Sequence, residues 1–287
     1  RKFNWGNPED YMSNVLEKFT LTDKVAVVTG GDGLLGRQFT RTLAQAGAAV
    51  IVADVNRMSA NTVAETLVKD GYTALGVGID VTDKDSVEEM VATAIDQFGR
   101  LDVLVCSAAL DPKFDPEAIK RGIPSGSFED YPLDEWRQAL DVNLTGMFLC
   151  CQAAVRPMKF QDNKGSVINI CSTYGLAAPD QRLYLRDGVQ SAYKPVYYST
   201  TKAGVLGMTR YLASYFANTN TRFNCLTPGG VYNNHDEVFE KQYAARTIMG
   251  RMAHIDEMNG ALLFLASDAS SYMTGSNVVV DGGWTAW

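Results

Sequence analysis

The chain has 287 residues, 46% of them hydrophobic and 21% charged, which is ordinary for a globular protein with a substantial buried core. A formal charge of −7 with no local run of Lys and Arg speaks against sequence-independent binding to nucleic acid or to an anionic membrane, since both reward cationic patches. The five cysteines form no CxxC pair and their odd count argues against a disulfide framework, while no stretch approaches the ~20 apolar residues of a membrane span. With a polar, aromatic N-terminus in place of a signal peptide, the expected location is the cytoplasm.

From Lys24 onward, short β-branched runs alternate with longer helical patterns. The expected strands are Lys24–Val28, Val50–Ala53, Ala74–Ile79, Leu101–Cys106, Ser166–Cys171, Arg222–Leu226 and Asn277–Val280. Between them the spacing predicts helices over Gly33–Gly47, Met58–Asp70, Asp83–Phe98, Leu133–Phe160, Val196–Ala217 and Ile255–Ala266. Nearly uniform apolar strands are those of a parallel sheet covered on both faces. The alternation therefore predicts a single-domain, doubly wound Rossmann α/β fold of about seven parallel strands with helices on both faces. Residues 1–20 precede this domain as an extension, and residues 21–287 form it. Three long connections, near 109–132, 173–195 and 227–250, leave the C-terminal ends of strands, where ligands bind in open α/β sheets.

Between the first strand and the first helix stands Thr29-Gly30-Gly31-Asp32-Gly33-Leu34-Leu35-Gly36. Glycines there let the backbone turn tightly and approach a pyrophosphate at the positive end of the helix. The second strand ends in Asp54, whose carboxylate can accept hydrogen bonds from adenosine ribose hydroxyls and would repel a 2′-phosphate. Asp32 adds to that repulsion, so NAD is favoured over NADP, with Arg37 and Arg57 as cations that a 2′-phosphate would use. A strand-end cap is the alternative role for Asp54.

Tyr198-Ser199-Thr200-Thr201-Lys202 is the one Tyr-x-x-x-Lys in the chain. On a helix the two side chains share a face, and the ammonium would lower the phenol's pKa for proton transfer. The strand before that helix ends at Ser172, whose hydroxyl can hydrogen-bond a reacting carbonyl oxygen. Asn143 lies inside a long helix, where Asn is a poor helix former, and either joins this set or serves helix packing.

These residues, with Asp80-Val81-Thr82, Asn224 through Pro228-Gly229, and the closing Phe264–Asp268, Tyr272–Gly275 and Asp281-Gly282-Gly283, resemble the short-chain dehydrogenase/reductase family over about Leu21 to Trp287. The resemblance implies that Tyr198 is the acid/base and that Lys202 also holds the nicotinamide ribose. It further implies that Ser172 positions the substrate oxygen, Asn143 supports a water-linked relay, and Asp80 and Val81 line the adenine site. Ala108 would lie beside the adenosine ribose, and Pro228, Gly229 and Val231 would border the nicotinamide. Gly30, Gly33, Leu34, Leu35, Gly36 and Asp54 complete the expected cofactor site. A homodimer or homotetramer is implied as well, with Tyr211, Tyr215, Phe216, Met147 and Phe148 as candidate contacts.

Three features depart from the compact members of the family. Leu34 replaces the middle glycine of the loop, giving the glycine spacing of the extended, sugar-nucleotide-modifying members. The usual Asn-Asn-Ala-Gly reads Cys106-Ser107-Ala108-Ala109, which puts the backbone there in question. Ser172 and Tyr198 stand unusually far apart, so the loop between them must fold over the site. A narrower similarity, carried by Ala109–Asp115, Ala178–Arg182, Pro228–Tyr232 and Trp284–Trp287, points to a bacterial gluconate-dehydrogenase-like subgroup also linked to nonulosonic-acid sugars.

Arg182, Tyr184, Arg186, Tyr193, Lys194 and Tyr197 in the inserted loop suit a polyhydroxylated or anionic substrate, or are merely solvated. The expected activity is hydride exchange between a secondary alcohol and a ketone on a sugar, polyol or sugar acid. A sugar-nucleotide epimerase or dehydratase and a non-catalytic NAD-binding regulator are the competing readings. Only Ala203–Trp287 remain beyond Lys202 for the substrate domain that the first would need. His235 and His254 are read as surface or locally bonded residues, and no catalytic metal is expected.

Overall fold

The fold was analysed in a computed structural model that describes residues 14–111, 124–161 and 165–287. The strands are β1 (Val25–Thr29), β2 (Ala49–Asp54), β3 (Ala74–Gly78), β4 (Val103–Cys106), β5 (Ser166–Ile170), β6 (Leu185–Arg186), β7 (Val189–Gln190), β8 (Arg222–Pro228) and β9 (Asn277–Val280). The α-helices are α1 (Leu34–Gln45), α2 (Arg57–Lys69), α3 (Lys84–Phe98), α4 (Leu133–Leu140), α5 (Gly146–Phe160), α6 (Val196–Tyr215), α7 (Glu237–Ala244) and α8 (Asn259–Ala266).

Seven strands form one parallel sheet in the order β3-β2-β1-β4-β5-β8-β9. Alternate residues of β1 show why the strand is apolar throughout. Val25 and Val27 enter the core beneath α3, α5 and α6, whereas Ala26 and Val28 enter the one beneath α1, α2 and α8. The strand order reverses between β1 and β4, which opens a crevice at their C-terminal ends. The fold is thus the expected single-domain Rossmann architecture with seven parallel strands.

Local chemistry sets the element ends. Asn56 and Asp83 cap α2 and α3 by accepting from Ser59 N and Asp85 N, and Gly99 closes α3 in a left-handed conformation. No helix among the described residues is long and apolar enough to cross a membrane.

Three expectations need correction. The helix expected over Leu133–Phe160 is divided by a π-turn at Asp141–Thr145. Asn143 Oδ1 accepts from Leu110 N at 2.6 Å and its Nδ2 donates to Leu110 O at 3.1 Å, tying the widened turn to the loop after β4. The last helix begins at Asn259 instead of Ile255, because the Glu257 carboxylate accepts from His254 N and pairs with Arg251, holding that stretch as turns. The irregular stretch after β8 contains α7, capped by Asp236, whose carboxylate accepts from Phe239 N. Of the connection near 109–132, residues 112–123 lie outside the described residues.

Candidate active site

One continuous crevice runs along the C-terminal edge of the sheet. Its wider end, a cavity of 670 Å³, is bordered by Asp54, Asp80, Val81, Ala108 and Leu110; the other end, of 330 Å³, reaches Ser172, Tyr198 and Lys202. Gly30 and Gly33 border both.

The glycine loop shapes the middle of this crevice. Gly33 is the N-cap of α1 and offers no side chain to its orphan N–H groups, so the positive end of the helix faces the cleft. A Cβ on Gly36 would lie 1.9 Å from the Gly30 carbonyl oxygen, so only glycine allows the loop to fold this closely onto α1. Leu34, where the usual middle glycine is missing, opens α1 and lines the cleft. These features fit a dinucleotide pyrophosphate.

Asp54 turns out to do two things. Its carboxylate accepts from Asp32 N and from Asn56 N, each at 3.1 Å, which is the strand-end cap. It also lines the cleft, and a carboxylate has lone pairs left after two such bonds. Arg37 is paired with the Asp32 carboxylate and donates to Asp32 O at 2.9 Å, while the stem of Arg57 packs over Gly78. The Asp80 carboxylate accepts from Thr82 N at 2.9 Å and from the Thr82 hydroxyl at 2.7 Å, shaping the turn that carries Val81.

The doubt over Cys106–Ala109 is resolved by Thr29. Its hydroxyl oxygen accepts from Ser107 N at 3.2 Å and Ala108 N at 3.3 Å, fixing this backbone against the glycine loop without the missing asparagines. The sequence reading overlooked Thr29, although it precedes the glycines directly.

Tyr198 and Lys202 share the buried side of α6. Lys202 Nζ lies 5.8 Å from the Tyr198 ring centroid and donates to Ile170 O at 3.0 Å. Ser172, on the turn after β5, borders the same end of the crevice as Tyr198, so the fold does close the long sequence gap between them. Burial, reinforced by the Asp111 carboxylate, holds Tyr198 above the ordinary tyrosine range, and Ser172 opposes this. Burial in turn pulls the Lys202 ammonium below its ordinary value. A low-dielectric site penalises both charged forms, and one of the ammonium's three hydrogens is committed to the Ile170 carbonyl.

Asn143 does not line the crevice. It is 1% exposed, and beyond Leu110 its Nδ2 reaches Thr201 Oγ1 at 3.4 Å, with Thr201 in turn bonded to Tyr198 O at 3.2 Å. It links the cleft wall to the helix that carries Tyr198.

The substrate end is walled by aromatic side chains from four separate segments. Tyr174 packs edge-on against Tyr198 and Trp284, and Trp284 stacks on Tyr243 with centroids 4.4 Å apart. The Tyr243 hydroxyl accepts from Gly230 N at 2.5 Å, and a Cβ on Gly230 would meet the Tyr243 ring at 2.4 Å. Burial raises the Tyr243 phenol to about 12, so it stays protonated. Pro228, Gly229 and Val231 line the crevice beside this contact. His235 stacks on Phe239 and borders the cleft; burial lowers its pKa.

Of the cations in the inserted loop, the two arginines are diverted to the scaffold. Arg182 pairs with Asp180, and Arg186 with Asp236 and the carbonyls of Leu183 and Leu185. Lys194 does border the crevice. Its Nζ sits 4.0 Å from the Tyr198 ring centroid and 2.7 Å from Asp111 Oδ1. Nothing in the pattern around Lys194 distinguishes it from its solvated neighbours.

A family model described as "Enoyl-(Acyl carrier protein) reductase" matches residues 33–285. A trans-4-hydroxycyclohexanecarboxylate dehydrogenase of Sinomonas cyclohexanicum is 34% identical over 96% of this chain and 97% of its own. The chain belongs to the short-chain dehydrogenase/reductase family. It is also 32% identical to an L-rhamnose 1-dehydrogenase (NAD(P)(+)) of Azotobacter vinelandii, over 92% of this chain and 97% of that one. Among solved structures, a gluconate 5-dehydrogenase from Burkholderia cenocepacia, in complex with NADP and tartrate, superposes with a TM-score of 0.82. It is 28% identical and covers 96% of this chain and 100% of its own. The chain is a short-chain oxidoreductase acting on CH–OH groups, and these relatives, aligned over nearly their whole length, are dehydrogenases and not the sugar-nucleotide epimerases that the glycine spacing had suggested.

Proposed function

We propose that this protein is an NAD-dependent dehydrogenase that interconverts a secondary alcohol and a ketone on a sugar, polyol or sugar acid. The observation that carries the reading is the convergence of Ser172, Tyr198 and Lys202 at one end of a crevice whose middle is the glycine loop. Preference for NAD rests on Asp54 in the adenosine end and on the Asp32 carboxylate, which pairs with Arg37 and opposes a 2′-phosphate. The first turn of α1 would hold the pyrophosphate, with Asp80, Val81 and Ala108 around the adenosine and Pro228, Gly229 and Val231 beside the nicotinamide.

A nicotinamide held there would supply the hydride acceptor or donor for the carbon that bears the reacting oxygen. Tyr198 gives or takes the proton at that oxygen. Ser172 gives its one hydroxyl hydrogen to the same oxygen. Lys202, anchored on Ile170 O, is placed to hold a ribose hydroxyl and to offset the phenolate. Asn143 acts as a positioning residue through Leu110 and Thr201. The reading extends to a cytoplasmic homodimer or homotetramer with residues 1–20 as an extension. Tyr211 and Tyr215, stacked and exposed on α6, are the foremost candidate contacts.

The test is a panel of polyols, aldoses, gluconate, 4-hydroxycyclohexanecarboxylate, steroids and aliphatic alcohols, each with NAD and NADP, followed by absorbance of the reduced cofactor. Reduction of NAD by a hydroxylated sugar or acid is expected. Turnover confined to steroids or aliphatic alcohols would overturn the substrate class, and a consistent preference for NADP would overturn the cofactor.

A further inference from the structure

The inserted loop spends an unusual share of its hydrogen bonds on the placement of one residue. Gln181 clamps the backbone of Lys194 from both sides: its Oε1 accepts from Lys194 N at 2.8 Å and its Nε2 donates to Lys194 O at 3.1 Å. Gln190 then holds the clamp, with Nε2 donating to Gln181 O at 2.8 Å and to Ala192 O at 2.6 Å. Lys194 is thereby fixed in a loop that otherwise has only short elements of its own.

The clamp delivers a cation into the substrate end of the crevice. The Lys194 side chain is only 12% exposed and its ammonium lies over the face of Tyr198, with the Tyr174 ring 5.9 Å away. Lys202, the other lysine bordering this end, has one of its hydrogens on Ile170 O and lies farther from the Tyr198 ring, at 5.8 Å. The partner of Lys194, Asp111, is 70% exposed. An ion pair with one partner mostly in water is weak and readily exchanged. The ammonium itself has little solvent to turn to, so an incoming anion gains what Asp111 gives up.

We propose that Lys194 is the carboxylate anchor of the substrate, and that a hydroxy acid binds by displacing Asp111 from it. This rests on the dehydrogenase reading above and narrows its substrate class from sugars and polyols to their acids and to other compact hydroxy acids. With the carboxylate on Lys194, the same molecule reaches Ser172 and Tyr198 with a hydroxyl a few carbons away. The walls formed by Tyr174 and Tyr184 then pack against its carbon skeleton. Asp111 has the opposite role: it guards the cation from unwanted anions and competes with the substrate.

The experiment compares gluconate and 4-hydroxycyclohexanecarboxylate with their primary amides, as kcat/KM ratios, in the wild type, Lys194→Gln, Lys194→Arg and Asp111→Asn. The acid-to-amide ratio should fall at least tenfold in K194Q, mainly through KM, recover in part in K194R, and rise in D111N. Equal ratios in the wild type and K194Q would overturn the anchor. A ratio that falls in D111N as it does in K194Q would also overturn it, since Asp111 would then be binding substrate beside Lys194. Calorimetric titration of the two acids into each NAD-loaded protein tests the anchor without turnover. Tight binding of an acid to the wild type, lost in K194Q, supports it even if no alcohol is oxidised, in which case the dehydrogenase reading alone fails. Equal binding by both proteins sinks the anchor while leaving that reading intact.

Discussion

The two ends of the crevice are built by different means. At the cofactor end, the contacts are made by backbone and by short side chains, some local, as Asp80 on Thr82 and Asp54 on Asn56, and some between neighbouring strands, as Thr29 on Ser107. At the substrate end, bulky side chains meet: Tyr174, Tyr184 and Lys194 of the inserted loop, Tyr198 of α6 and Tyr243 of α7 border the crevice, with Trp284 packed on Tyr174 and Tyr243. A phosphate is the same in every dinucleotide, so its site can be a fixed backbone geometry. A substrate pocket must be changed without disturbing that geometry, and loops on a rigid sheet permit this. The lesson is that the two ends should respond differently to substitution.

The largest separation is expected for Tyr198→Phe. Loss of the proton-transferring hydroxyl should lower kcat by roughly 10²–10⁴-fold. Affinity for NAD, measured by titration of cofactor fluorescence, should stay near that of the wild type. A comparable loss of NAD binding would show that the two ends are not separable.

Gly36→Ala tests the cofactor end in the same way. The added Cβ meets the Gly30 carbonyl at 1.9 Å, so the loop must shift away from α1. Overpacking of this kind costs about 1–3 kcal/mol, which corresponds to roughly 5–100-fold weaker NAD binding. The kcat at saturating NAD should change far less than KM for NAD, and an unchanged KM would break the comparison.

Tyr243→Phe removes the acceptor for Gly230 N while keeping the ring stacked on Trp284. Leaving a half-buried N–H unpaired should cost about 1 kcal/mol, seen as a lower thermal midpoint. The substrate KM should rise more than the KM for NAD, because Gly230 lines the substrate end.

The smallest effect is expected in the pH profile. The Asp111 carboxylate helps hold Tyr198 above its ordinary range by disfavouring the phenolate. Asp111→Asn should therefore lower the phenol's pKa. The acid limb of kcat/KM for alcohol oxidation, which needs the ionised phenol, should move to lower pH by roughly a few tenths of a unit. Asp111 is mostly exposed, which keeps the shift small, and the other groups facing Tyr198 (Ser172, Cys171, Tyr197, Lys194 and Lys202) remain in place. Movement to higher pH would mean that the loss of Asp111 exposes Tyr198 to a different neighbour.

What the amino-acid sequence determined by itself is everything that depends on local spacing. Nearly continuous apolar runs specify strands buried on both faces. Glycines between β1 and α1 specify a close backbone approach, and a Tyr and a Lys four positions apart on α6 specify one helix face. These features are decided within a turn or two of chain, so they can be read without coordinates. Tertiary structure alone decided the rest. The π-turn at Asn143 arises because its amide finds the backbone of Leu110, far away in sequence. Thr29 bonds the backbone of Ser107 because β1 and β4 are neighbours. Arg182 and Arg186 leave the site and Lys194 stays, because only the fold shows which carboxylates and carbonyls each cation meets. Side-chain partners distant in the chain carry no spacing signal, and it is such partners that build the substrate end.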